Sequence, residues 1–125
     1  MSTATQGTRT SRTQYADRLF RQFIRARDKH CQLYPLWAMN LDACIEPLEV
    51  AHFYSRRYRS VRWDPDNAAL LCSYHHRAID TDELDKWAWV AIRLGEDRLR
   101  SLQARKNQPW DKDLDAVFER LRGLA

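Results

Sequence analysis

The spacing of apolar residues separates a polar N-terminal stretch from a helix. Residues 1–13 are mostly Ser, Thr, Gln and Arg without apolar periodicity, which predicts a disordered basic arm. From Gln14 to about Lys29, apolar side chains recur every three or four residues. This period predicts an amphipathic helix, whose arginine-rich face is either solvated or in contact with phosphates.

The middle of the chain changes to short β-prone segments. Residues 48–54 alternate partly and predict one strand, and residues 68–71 predict a second, apolar strand. The basic loop between them ends in the turn sequence WDPDN at residues 63–67. A helix is expected to start near Ser73.

The pattern is helical from Asp80 onwards. Apolar positions three or four residues apart predict a helix ending at Gly95, a shorter helix interrupted by Pro109, and a final amphipathic helix from about Leu114. A chain of 125 residues with this pattern fits one α+β domain. Its predicted parts are the arm at 1–13, a helix with a β-containing core at 14–80, and a helical extension at 81–125.

Charge is distributed unevenly along the chain, which has a formal net charge of +4. Residues 1–79 contain 12 Lys and Arg against 7 Asp and Glu, whereas residues 80–125 contain 9 against 10. A basic first part predicts a polyanionic partner. The N-terminus lacks an apolar run and no segment is long enough for a bilayer, so a cytoplasmic protein without a membrane partner is expected.

The spacing of three polar residues in the central region predicts that they lie near one another in the fold. His52 falls in the first predicted strand, Asn67 in the turn, and His76 in the first turn of the following helix. A hairpin packed on a helix brings the first strand beside the start of that helix. His52 and His76 can therefore face one cleft, while Asn67 either pins the loop by hydrogen bonds or reaches the cleft itself.

This order and spacing resemble the HNH endonuclease family, which has a ββα-metal fold. The sequence NAALLCSYHHRAI at residues 67–79 is similar to the family's Asn–strand–Cys-x-x-Cys-His segment. The pattern AHFYSRR…RWDPDN…C is similar to the phage recombination (NinG-like) branch. The resemblance implies a small ββα-metal core with zinc-binding loops, flanked by the N-terminal helix and the helical tail.

The resemblance also implies roles for these residues. His52 would be the general base that activates water, and His76 would hold one catalytic divalent ion, which could be Mg, Mn, Ni or Zn. Asn67 would orient the loop or complete the coordination of that ion. A neutral imidazole is a suitable base at physiological pH.

The sequence departs from the family at Ala51, because metal-binding members usually have Asp or His before the base. One ligand is therefore missing or supplied from elsewhere. Asp80 is a candidate, since it lies four residues after His76 on the same helical face. Alternatively, Asp80 caps the next helix and forms a capping-box pair with Glu83.

A second set of residues predicts a structural zinc site. Cys72 and His75 form a Cys-x-x-His pair where many HNH proteins have Cys-x-x-Cys. Upstream, Cys31 is present, Tyr34 holds the place of its usual partner, and Cys44 can substitute. The four residues would form a tetrahedral Cys3His site. The odd count of three cysteines fits ligands in a reducing compartment, and the alternative is buried free thiols.

The basic loop before Asn67 is a predicted DNA contact. Guanidinium groups donate paired hydrogen bonds to phosphate, and aromatic residues are interleaved with them here. The alternative is a merely solvated loop. The predicted DNA-binding residues are Arg56, Arg57, Arg59 and Arg62.

Together these features predict a metal-dependent HNH endonuclease that nicks or cuts DNA and is associated with a phage. Two alternatives stay open: a non-catalytic, zinc-containing DNA-binding module, and a phage assembly adaptor that docks through residues 81–125. The expected partner is DNA, with phage recombination or packaging proteins and a second copy of the chain as further candidates.

Overall fold

The computed structural model describes residues 9–33 and 44–124, which form five α-helices and one two-stranded antiparallel sheet. The predicted α+β class is confirmed. None of the helices in these two ranges is long and apolar enough to cross a lipid bilayer. The elements are α1 (Arg9–Asp28), β1 (Leu48–His52), a 3-10 turn (Pro65–Asn67), β2 (Ala68–Cys72), α2 (Ser73–Asp80), α3 (Glu83–Leu94), α4 (Glu96–Lys106) and α5 (Leu114–Leu124).

Helix α1 begins at Arg9, inside the segment predicted to be a disordered arm (1–13). The prediction is therefore wrong for the end of that segment, while residues 1–8 lie outside the described residues. Tertiary packing explains the longer helix. Thr13 is buried, and Arg12 forms an ion pair with a carboxylate of α5.

The two strands form the centre of the core. They pair from Leu48 opposite Cys72 to His52 opposite Ala68. Successive side chains point to opposite faces of the sheet, and both faces are covered, so all of β2 is buried. One face packs on α1 and α5, and the other on α2, α3 and α4.

The predicted helix ends after residue 80 are confirmed. Helix α3 stops at Gly95, which has φ +82° and donates its N–H to the Ala91 carbonyl at 2.9 Å. Glycine suits this left-handed conformation because it lacks a Cβ atom. Helix α4 ends before Pro109, and α5 starts at Leu114.

A buried carboxylate at the end of α1 ties three elements together. The Asp28 side chain is 3% exposed and accepts hydrogen bonds from the Leu70 N–H of β2 at 2.9 Å and from Arg27 at 2.7 Å. Arg93 of α3 lies 3.3 Å away. Burial raises the pKa of Asp28, but the bonds from Arg27 and Leu70 and the nearby cationic charges outweigh burial and hold it below its usual value.

Replacing Asp28 with alanine should therefore destabilise the fold. The change leaves the largely buried Arg93 without its counter-charge and the Leu70 N–H without an acceptor, and we expect a loss of about 3–5 kcal/mol. Urea unfolding at pH 7 measures it. Glu119→Ala, at an exposed acid on α5, is the control and should change stability by less than about 0.5 kcal/mol. Equal stability of the two variants would contradict the assignment.

Candidate functional site

The start of α2 supplies side chains to two separate groups of chemically active residues. Cys72 precedes the helix as its N-cap, and its Sγ accepts the His75 N–H at 3.3 Å. Neighbouring residues on a helix point about 100° apart. His75 is accordingly fully buried among cysteines, whereas His76 lines a cleft.

The first group is a cysteine–histidine cluster. The ligand atoms of Cys31, Cys44, Cys72 and His75 all lie within 4.8 Å of one another. His75 Nδ1 is 3.4 Å from Sγ of Cys31, 3.4 Å from Sγ of Cys44 and 3.3 Å from Sγ of Cys72. A tetrahedral zinc ion would separate its sulfur and nitrogen ligands by about 3.5 Å. The cluster could therefore hold a metal ion such as zinc, and it contains the four predicted residues.

The electrostatics of this cluster favour a cation among the sulfurs. The three cysteines are free thiols. Burial and the neighbouring sulfurs of Cys31 and Cys72 raise the pKa of Cys44 to about 12. Burial also lowers the pKa of His75, which keeps its ring neutral, as a metal ligand must be. Three thiolates can coexist at this separation only around a positive ion.

The second group lines a cleft of about 320 Å³ between α1, β1 and α2. His52 and His76 both line it, as their spacing predicts. The other lining residues come from α1, from β1 and from the loop after β1. They are Asp17, Phe20, Arg21, Val50 and Arg56.

His52 is held as a neutral imidazole of defined tautomer. Its Nε2 lies 2.9 Å from the Arg62 carbonyl oxygen, which can only accept, so Nε2 carries the proton and Nδ1 keeps the lone pair. Burial lowers the pKa of His52, and the charges of Arg56 and Arg62 lower it further. The carbonyl contact and the Asp17 carboxylate act in the opposite direction but do not outweigh burial.

Asp17 on α1 fixes the loop that carries this carbonyl. It accepts hydrogen bonds from Arg62 at 2.7 and 3.1 Å and from the Trp63 indole at 2.8 Å. Burial raises the pKa of Asp17, but these bonds and the arginine charges outweigh burial and hold it below its usual range. Sequence reasoning did not single out Asp17. The available signal is a carboxylate within an otherwise arginine-rich helix.

The loop arginines differ in their accessibility. The Arg62 side chain pairs with Asp17 and is only 14% exposed. This low exposure does not fit the prediction that Arg62 contacts DNA. Arg56 is 59% exposed and lines the cleft. Arg57 and Arg59 lie over the rings of Tyr58 and Trp110.

Asn67 is buried beneath the loop rather than exposed in the cleft. Its Nδ2 donates to the carbonyl oxygens of Tyr54 and Val61, both at 3.0 Å, and its Oδ1 accepts the Tyr54 N–H at 2.8 Å. Its relative exposure is 0%. Of the two predicted roles, these contacts fit loop fixation. The coordination of an ion in the cleft does not fit them.

His76 contacts a carboxylate at each ring nitrogen. Nδ1 lies 2.8 Å from Oε1 of Glu49, and Nε2 lies 3.3 Å from Oδ2 of Asp80. The alternative that Asp80 caps the next helix is wrong. Asp82 caps α3 by accepting the Asp85 N–H, and Asp80 is the last residue of α2.

No family model, no curated protein and no solved structure matches this chain. The resemblance to HNH endonucleases therefore stays a prediction from the residues.

The contacts of Asn67 lead to a test that separates its two predicted roles. Asn67→Asp keeps an oxygen ligand but places a carboxylate against two carbonyl oxygens. Asn67→Ala leaves the same loop groups without a partner. A loop-fixing residue should lose about 2–3 kcal/mol of unfolding free energy in both variants, measured with urea. An Asn67→Asp variant as stable as the wild type would contradict this role.

Proposed function

We propose that the protein is a metal-dependent HNH endonuclease that hydrolyses phosphodiester bonds in DNA. The observation that carries the proposal is the shared cleft of His52 and His76, whose lining also includes two arginines. Hydrolysis of a phosphodiester needs a base for water and stabilisation of the charge on phosphate and leaving group. The cleft offers candidates for both.

His52 would act as the base. Nδ1 would take a proton from water as the water oxygen attacks phosphorus, the bond between phosphorus and the leaving oxygen would break, and that oxygen would take a proton from solvent. Nε2 keeps its proton and donates it in a hydrogen bond to the Arg62 carbonyl oxygen, 2.9 Å away, which orients the ring and favours the imidazolium that forms. Asp17 holds Arg62 and thereby acts as a positioning residue.

Arginines at the cleft would bind the DNA backbone. Arg21 comes from α1 and Arg56 from the loop after β1, so their charges flank the cleft from different elements. Such contacts position DNA without selecting its sequence. Arg57 and Arg59 would extend this surface along the loop.

The divalent ion would bind at His76. Its imidazole with adjacent carboxylates is a nitrogen and oxygen donor set that Mg²⁺, Mn²⁺, Ni²⁺ or Zn²⁺ accepts, whereas Ala51 offers no ligand atom. When bound, the ion supplies positive charge to the scissile phosphate and to the leaving oxygen.

The cysteine–histidine cluster would hold a structural zinc. Cys31 follows α1, Cys44 precedes β1, and Cys72 and His75 join β2 to α2. One ion would thus fix the segments that carry both cleft histidines. A structural zinc site has four protein ligands and no open position, as in this cluster.

The nuclease proposal predicts metal-dependent cleavage that requires His52. Wild-type protein with Mg²⁺, Mn²⁺ or Ni²⁺ should relax or linearise supercoiled plasmid. His52→Gln keeps a donor for the Arg62 carbonyl but lacks the base, and both it and His52→Ala should lose at least about 100-fold in rate. His30→Ala, at an exposed histidine outside the cleft, should retain wild-type activity.

Other outcomes of this assay are decisive too. Equal cleavage by wild type and the His52 variants would overturn the role of His52. DNA binding without cleavage in any of the three metals would support the non-catalytic DNA-binding module, an alternative that Ala51 favours.

The structural site predicts one zinc ion for each chain. Protein purified from zinc-containing medium should carry it by elemental analysis. Cys72→Ser should lose the ion and lower the thermal midpoint by roughly 10 °C or more, because zinc binding contributes directly to folding in small domains. His30→Ala should keep both. Wild-type protein without stoichiometric zinc would instead indicate a set of buried free thiols.

A further inference from the structure

Glu49 is an acidic residue of β1 that the sequence pattern did not select. Side chains alternate along a strand, so Glu49 shares its face of the sheet with Ala51, and the two lie opposite Leu71 and Ala69. Helix α2 packs against the sheet beside them. Glu49 of β1 therefore contacts His76 of α2 where the helix packs on the sheet.

The separation between these two side chains suits two ligands of one ion. Glu49 Oε1 is 2.8 Å from His76 Nδ1. Two donors at right angles, each about 2.1 Å from a divalent ion, are about 3.0 Å apart. The two side chains are 41% and 25% exposed, so an ion and its remaining water ligands can reach them from solvent.

Asp80 completes the arrangement from the other side of the ring. Its Oδ2 is 3.3 Å from His76 Nε2, and the two residues are one turn apart on α2. Metal-ligating histidines generally donate their second ring N–H to a carboxylate or carbonyl, which fixes the tautomer. The Glu49 carboxylate can only accept, so Nδ1 donates its proton to Oε1 in this structure. An ion bound at Nδ1 would replace that proton, and Asp80 would then accept the remaining proton on Nε2.

We propose that Glu49 and His76 Nδ1 are the protein ligands of the divalent ion, and that Asp80 orients His76 by accepting its Nε2–H. This inference rests on the proposed nuclease function and specifies its metal site. It assigns to Glu49 the acidic ligand that Ala51 cannot supply. It also makes Asp80 a positioning residue rather than a ligand.

Metal binding, measured separately from cleavage, tests this assignment. Zinc-loaded protein is titrated with Mn²⁺, with free Mn²⁺ followed by electron paramagnetic resonance. We expect one Mn²⁺ site for each chain, weakened at least about 10-fold in Glu49→Gln and lost in His76→Ala. Asp80→Ala removes the acceptor for Nε2–H and should weaken Mn²⁺ binding about 10-fold, whereas Asp80→Asn keeps an acceptor and should bind more tightly than Asp80→Ala. Glu46→Gln, at an exposed neighbouring acid, is the matched control and should bind normally.

The variants distinguish this inference from the nuclease proposal. If Glu49→Gln binds Mn²⁺ like the wild type while Asp80→Asn loses it, Asp80 is the ligand and the assignment is overturned, but plasmid cleavage can stand. Wild-type protein that binds no Mn²⁺ also overturns the assignment. Plasmid cleavage decides the nuclease proposal in each case.

Discussion

The junction between β2 and α2 is the constraint on which the rest of the site depends. Cys72 is the last residue of the strand, the cap of the helix and a member of the cysteine–histidine cluster. Because one sulfur serves all three purposes, the first turn of α2 has little freedom to rotate. The angle between adjacent helical residues then sends His75 to the cluster and His76 to the cleft. The five residues from Cys72 to His76 thus contribute side chains to both the cysteine–histidine cluster and the cleft.

Much of this arrangement could be predicted because the signals are local. Strand alternation and helical spacing gave the element order, and the intervals between His52, Asn67 and His76 placed both histidines at one cleft. The cysteine set came instead from the resemblance to the Cys-x-x-Cys pairs of HNH proteins, with Cys44 in place of the partner that is missing at Tyr34. These features depend on the period of an element and on the length of the loop between two elements, and the sequence carries both directly.

The rest depends on contacts between segments that are distant in sequence. Asp17 and Arg62 meet only because α1 packs against the loop, so a residue predicted to face DNA is turned inward. Asp80 and Asp82 both fit a helix-cap pattern, and only the actual end of α2 decides between them. Glu49 is a candidate metal ligand only because the fold places His76 of α2 beside it at the edge of the sheet. Local patterns contain none of this information.

Helix α1 contributes to both parts of the site. Its residue Asp17 holds the loop beside His52, and Cys31, three residues beyond its end, belongs to the cysteine–histidine cluster. A helix held at two points transmits a shift at one of them to the other. An ion in the cluster and a ligand in the cleft would both favour the docked position of α1. Each would then raise the affinity of the other by the same factor, because the coupling free energy between two sites is reciprocal, although the two sites share no side chain.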